Sequence, residues 1–188
     1  GEYPVWGFYY YRWWLASRAQ SLSGIGLLSG TPVMSLYYRL MGAKIGKNCI
    51  LDTPTCTIFD LVSIGDDTCI GSGTQLLGYR VEDGLLKIGR ITIGDRCFVG
   101  THCTFGLNTK MGNDCFLDDI SYLPDHVEMK NNEARRGSPA QPAEVSVPHV
   151  SEEQARKRSP FWYGVLYFLA VELIPALMFL TILPGLLI

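Results

Sequence analysis

Little in this chain of 188 residues favours one sign of charge: 16 Lys and Arg stand against 18 Asp and Glu, a net of −2. That balance removes the electrostatic argument for a nucleic-acid partner. Histidine is scarce, with three in all, and the six cysteines include no Cys-x-x-Cys pair, so spacing gives no support to a zinc site. An initiator Met and a secretory signal are both missing, and the chain runs from Gly1 to an apolar end at Ile188, which reads as a piece of a larger membrane protein.

What is present is an apolar residue every six positions, usually followed by Gly, with a small residue four places on. The clearest units are Ile64-Gly65 with Thr68, Ile70-Gly71 with Thr74, Ile93-Gly94 with Cys97, Val99-Gly100 with Cys103, Phe105-Gly106 with Thr109 and Met111-Gly112 with Cys115. Ile45-Gly46 with Cys49 and Leu51 with Thr55 open the run, and Leu123 with Val127 closes it. A period of six fits no α-helix but holds whole strand periods, so each unit is a short strand plus a corner and three units close one coil. The leading residue points inward, the small residue fits the corner, and Gly is expected to supply a turn that a Cβ would strain. The fold is therefore mainly β, a parallel β-helix over residues 43–140 with roughly four to five coils, about 20 Å of stack. Cys49, Cys97, Cys103 and Cys115 hold the small inward position and read as apolar filler rather than disulfides or metal ligands.

Between Leu76 and Ile93 the period breaks, and Gly78 to Gly84 reads as a loop or ribbon thrown out of a coil, a place where solenoids carry function. Residues 1–42 read as capping or interfacial helices. Pro4 to Ser23 gathers Trp6, Phe8, Tyr9, Tyr10, Tyr11, Trp13 and Trp14 with Arg12 and Arg18, suited to a membrane headgroup layer or to a cap on the solenoid. A second helix has Thr31 as N-cap, Pro32 in the first turn, Gly42 as stop and Leu36, Leu40 and Met41 among its apolar positions. It is expected to cover the first coil. After a linker, 141–160, which contains His149, the segment 161–188 is almost wholly apolar, broken by Glu172, Pro175 and Pro184. It is long enough for a transmembrane helix, and Arg156, Lys157 and Arg158 just before it put the solenoid on the cytoplasmic side.

His102, in an outward-facing place of its unit, reads as a catalytic base or as a solvated surface imidazole. His126, four units later, falls on a neighbouring face and reads as surface. Glu82, Asp83 and Asp119 are carboxylates able to orient an imidazole or to accept a proton from an amine, whereas Asp95 and Asp114 sit where Asp stabilises turns.

The hexapeptide run ending in Gly137-Ser138-Pro139-Ala140 is similar to the left-handed β-helix acyltransferase superfamily, whose last coil is commonly followed by a Gly-x-Pro-Ala turn. A narrower resemblance covers nearly the whole chain. The order Tyr11-Arg12-Trp13-Trp14, Leu40 to Gly46, Gly78 to Gly84, Ile93 to Gly100, Gly137-Ser138-Pro139 and a final apolar segment resembles the C-terminal membrane region of poly-lysine synthetase-like nonribosomal peptide synthetases. This resemblance implies a left-handed coil, adenylation and carrier domains in the same protein, and a sibling β-helix or homo-oligomer as partner. It also implies transfer of an acyl or aminoacyl group from 4'-phosphopantetheine or CoA to an amine, without a metal. For that chemistry His102 is the candidate base, Glu82 and Asp83 the orienting or amine-binding groups, and Tyr79, Arg80 and Asp119 further donor or substrate contacts. One departure stands out. Family members can carry His two residues before a hydrophobic-Glu-Asp triplet, and here Tyr79 holds that place, which leaves a non-catalytic, membrane-docked scaffold as the alternative.

Overall fold

Short strands in a computed structural model, which describes residues 1–22, 24–144, 162–167, 169–170 and 173, stack into a three-faced parallel solenoid. The first face holds Lys44–Ile45, Val62–Ile64, Ile91–Ile93, Thr109–Met111 and Glu128–Met129. The second holds Ile50–Leu51, Cys69–Ile70, Phe98–Val99, Phe116–Leu117 and Ala134–Arg136, ended by the antiparallel strand Gln141–Pro142. On the third, Thr104–Phe105 pairs with Tyr122–Leu123, and single bridges join Cys56 to Leu76 and Gln75 to Thr104. Inward columns such as Ile64, Ile93 and Met111, or Leu76, Phe105 and Leu123, are buried almost completely, each side chain stabilising the stack by about 1.5–3 kcal/mol.

The small corner residues do more than fill space. Cys97 Sγ donates to the Gly112 carbonyl of the next coil at 2.9 Å, Cys115 Sγ to Lys130 at 2.8 Å, Thr68 Oγ1 to Gly94 at 2.9 Å and Thr74 Oγ1 to Gly100 at 2.8 Å. All six cysteines are free thiols. In the first coils, where the register slips, buried Thr53 rather than the expected Thr55 makes this link, to the Thr74 carbonyl at 2.5 Å.

The expectation that Gly after the apolar residue supplies a left-handed turn is corrected by the structure. The left-handed residues are instead Arg96, His102, Asn108, Asp114, Ile120, His126 and Asn132, with φ from 51° to 61° and a spacing of six. Gly is required because coils approach closely at that point: an added Cβ at Gly94 would lie 2.6 Å from the Gly112 carbonyl oxygen, and one at Gly65 2.6 Å from the Gly94 carbonyl carbon. Beside these glycines runs a ladder of side-chain acceptors. Asp66, Asp95, Asn113 and Asn131 take the backbone N–H of Lys47, Asp66, Asp95 and Asn113 at 2.7–3.0 Å. Asp95 thus has the turn role expected of it, whereas Asp114 occupies a left-handed position and pairs with Arg96.

Helix α2, Pro32–Leu40, covers the first coil. Met34 and Tyr38 are fully buried in the main core, Ser35 Oγ donates to the Cys49 carbonyl at 2.9 Å, and Tyr38 OH donates to that of Thr53 at 2.9 Å. Gly42, with φ of 104°, ends the helix as expected. Two details differ. Thr31 stands at the N-cap but turns its hydroxyl back to the Leu28 carbonyl at 2.7 Å, and Leu36, Leu40 and Met41 face outward. Helix α1, Phe8–Leu22, packs Tyr10 and Trp13 against Ile58, Leu86 and Ile88 and anchors Gln20 Nε2 on the Cys56 carbonyl at 2.7 Å, while Phe8, Tyr11, Leu15 and Leu22 remain exposed.

The expected loop or ribbon at 78–84 is a β-hairpin, and so the ribbon. Strands Tyr79–Glu82 and Leu85–Ile88 pair antiparallel around Asp83 and Gly84, both with positive φ, and Glu2–Pro4 adds a third strand. An Asp-Gly pair with two left-handed residues is the turn that matches strand twist. Among the described residues no helix is long and apolar enough to cross a membrane. The described positions between 162 and 173 are helical, and the remainder of 161–188, with residues 145–160 of the linker, lies outside the described residues.

Candidate active site

Where the hairpin folds back over the third face, it forms a half-open cleft of about 330 Å³, walled by Leu77, Tyr79 and Arg80 on one side and by residues 104–107 and Tyr122 on the other. Concave, largely apolar spaces of this size with a few polar groups are where small ligands bind. Arg80 closes one side. Its Nη1 and Nη2 donate to Asp125 Oδ2 and Oδ1 at 2.7 and 2.9 Å, and Nη2 also donates to Tyr122 OH at 3.2 Å. Desolvation alone would lower the Arg80 pKa, but Asp125 and Tyr122 hold it above its ordinary value. Asp125 is itself fixed, because Oδ1 accepts the Leu107 N–H at 2.8 Å as part of the corner ladder. Tyr79 is braced from behind by Trp13, edge-on at 4.6 Å between ring centroids.

Of the residues proposed from sequence, Tyr79 and Arg80 meet in this cleft. Glu82 and Asp83 stand at the hairpin tip, where Lys87 Nζ lies 3.1 and 3.9 Å from their carboxylates. His102 is exposed at the corner that leads into the cleft strand Thr104–Phe105. Its imidazole covers Gly73 of the preceding coil, where an added Cβ would lie 2.6 Å from Cε1. Asp119 belongs to the same corner and accepts Thr101 N–H and Oγ1–H at 2.7 and 3.1 Å. Tyr122 and Asp125 were missed by sequence reasoning. The only signal was register: Tyr122 lies on the third face directly beside Thr104.

Among the described residues no group of three His, Cys, Asp or Glu side chains could hold a metal ion. Burial pushes the Cys56 thiol up to about 12 and the Cys97 thiol up to about 11, the opposite of what a thiol nucleophile or ligand needs.

Residues 90–118 match the hexapeptide repeat of succinyl-transferase. The chain is 30% identical over 193 residues to the Delta-poly-L-ornithine synthetase of Acinetobacter baumannii, an alignment covering 98% of this chain and 14% of that protein. It therefore spans a small part of the relative's length. Two solved structures share the fold. A hexapeptide-repeat acetyltransferase from Vibrio cholerae, complexed with acetyl-CoA, is 18% identical with a TM-score of 0.52 over 69% of this chain and 86% of that one. A maltose O-acetyltransferase from Clostridium difficile is 11% identical with a TM-score of 0.53, over 76% and 91%.

Proposed function

We propose that this hexapeptide-repeat solenoid is the acyl-transfer region of a larger synthetase, moving an acyl or aminoacyl group from a CoA or 4'-phosphopantetheine thioester to an amine. The observation that carries the reading is the apolar cleft under the hairpin; His102 is exposed just before the cleft strand Thr104–Phe105, outside the cleft's lining and over Gly73. The similarity to a poly-ornithine synthetase along nearly the whole chain supports the amide-forming class, and the acetyl-CoA complex of a relative in fold supports a thioester donor. The walls formed by Leu77, Phe105 and Leu107 suit the pantetheine arm that both donors share.

In this reading the amine nitrogen attacks the thioester carbonyl, the C–N bond forms as the C–S bond breaks, and His102 takes the amine proton and returns it to the departing thiolate. Arg80 and Tyr79 hold the donor, and Glu82, Asp83 and Asp119 attract or orient the amine. The coil is left-handed, as in the acyltransferases it resembles. Adenylation and carrier domains act on the same donor, and the exposed aromatics of α1 and the span at 161–188 hold the solenoid at the cytoplasmic face of a membrane.

The test is single-turnover transfer from a loaded carrier domain to an amine, in detergent, with the complete membrane region. His102→Ala is expected to cut product formation by about a hundredfold or more. One observation favours the scaffold as a second reading: Tyr79, in the family's histidine position, is engaged in packing with Trp13. Unchanged transfer by His102→Ala would give the chemistry to a sibling domain.

A further inference from the structure

The outward positions of the three faces differ in character. On the first face they are Lys44, Ser63, Thr92, Lys110 and Glu128, the polar set of a solvated surface. On the second face the corresponding register is Ile50, Cys69, Phe98, Phe116 and Ala134. Ile50 and Phe98 are 53% and 41% exposed, and Phe98 stacks on Phe116 at 5.0 Å and 12°. Both ends of this stack are covered, by α2 at Ile50–Leu51 and by Gln141–Pro142 at the other end, so the strip lies on the flank of the solenoid. A contiguous outward apolar ladder on one flank, beside a polar one on another, marks an interaction surface.

The charges along its border select the occupant. The corner preceding each second-face strand carries Asn48, Asp67, Arg96, Asp114 and Asn132 in successive coils, and Arg96 Nε and Nη2 already donate to Asp114 at 2.6 and 2.7 Å. We infer that the second face pairs with the same face of a second copy of this chain, antiparallel, about a two-fold axis passing between Phe98 and Phe116. That operation sets Phe98 against Phe116, Cys69 against Ala134 and Arg96 against Asp114, so large meets large, small meets small and opposite charges meet. An isologous interface needs this self-complementarity. The parallel alternative puts border residues of equal height together and sets Asp114, paired with Arg96, against Asp118, paired with Arg136, so it gains no opposite-charge contact. Five rungs span about 19 Å, and one such face lies at the small end of specific interfaces, below ~1,200 Å², so association in the micromolar range is expected.

This surface follows from the ladder and not from acyl-transfer chemistry, so its failure leaves the transfer assay untouched. The full chain in density-matched detergent is followed by sedimentation velocity from about 1 to about 100 µM. A concentration-dependent dimer is expected, with Phe98→Glu weakening it about tenfold or more while circular dichroism stays unchanged. Orientation is read with a bismaleimide whose reach of about 10 Å matches the spacing of packed sheets. With Ala134→Cys, a cross-link is expected between Cys69 of one copy and the introduced cysteine of the other, and none between the two Cys69 residues of the parent. A monomer throughout, a dimer indifferent to Phe98→Glu, or a Cys69–Cys69 link would each overturn the proposal; a species that sediments with added vesicles alone would do so too, giving the strip to lipid.

Discussion

Arg80 and Asp125 hold one another by two hydrogen bonds of 2.7 and 2.9 Å across 45 residues of sequence. They join the hairpin to the third face and so fix the width of the cleft. Because Asp125 also accepts the Leu107 N–H, the two partners are unequal. Arg80→Ala removes a partly exposed ion pair, worth up to about 1 kcal/mol. Asp125→Ala also strands a backbone donor and is expected to cost about 1–2 kcal/mol more, with Asp125→Asn recovering the second part. Thermal or urea melts of the three variants give the comparison, and an equal loss for both alanine variants would rule out the dual role.

Gly94 and Gly84 separate two reasons for glycine. Ala at Gly94 meets the carbonyl of Gly112 at 2.6 Å, so a loss at or above the usual 1–3 kcal/mol of overpacking is expected. Ala at Gly84 meets nothing within 4 Å but keeps a φ of 71°, so only about 1–2 kcal/mol of backbone strain applies. The ranking is read from melting temperatures.

Acid should loosen the corners. Hydrogen bonding to Arg96 lowers the Asp114 pKa, and Arg136 does the same for Asp118. A carboxyl depressed in the folded chain binds protons more readily when unfolded, so its contribution is present above about pH 4 and is lost as pH falls below it. Urea midpoints at about pH 5 and about pH 3 should therefore differ less in Arg96→Gln and Arg136→Gln than in the parent, the residual fall coming from other carboxylates. An unaltered pH dependence in both variants would contradict this.

Thiol labelling distinguishes the cysteines. Cys49, Cys56, Cys97, Cys103 and Cys115 are buried, whereas Cys69 is half-buried on the outer side of the second face. Native protein diluted to the monomer should label first at Cys69, with slower labelling where copies associate, and denatured protein at all six positions. Rapid native labelling of Cys103 would mean that the corner opens.

The six-residue period exposed the solenoid because inward burial repeats at every rung, from Ile64 to Met129. It misassigned Gly94, since a strained φ and a close approach both demand glycine and only the neighbouring coil tells them apart. The hairpin was legible as an excursion but not as a sheet, because its third strand comes from Glu2–Pro4, distant in sequence. The cleft was half legible. Arg80 stood out in the broken period, whereas nothing in the sequence singled out Asp125, 45 residues away, as its partner.

Consecutive coils are 18 residues apart at most corners, but 29 separate Asp66 from Asp95, and the rungs on either side still align. The solenoid thus tolerates an excursion between Gly78 and Gly89, whose backbones close its base, since lengthening a loop costs little entropy. The hairpin behaves as a module with its own small core, Ile58, Leu86 and Ile88 under α1: residues at its exposed positions can change, and with them the shape of the cleft, while the frame beneath keeps its register. Recognition and architecture are thereby free to evolve at different rates within one short chain.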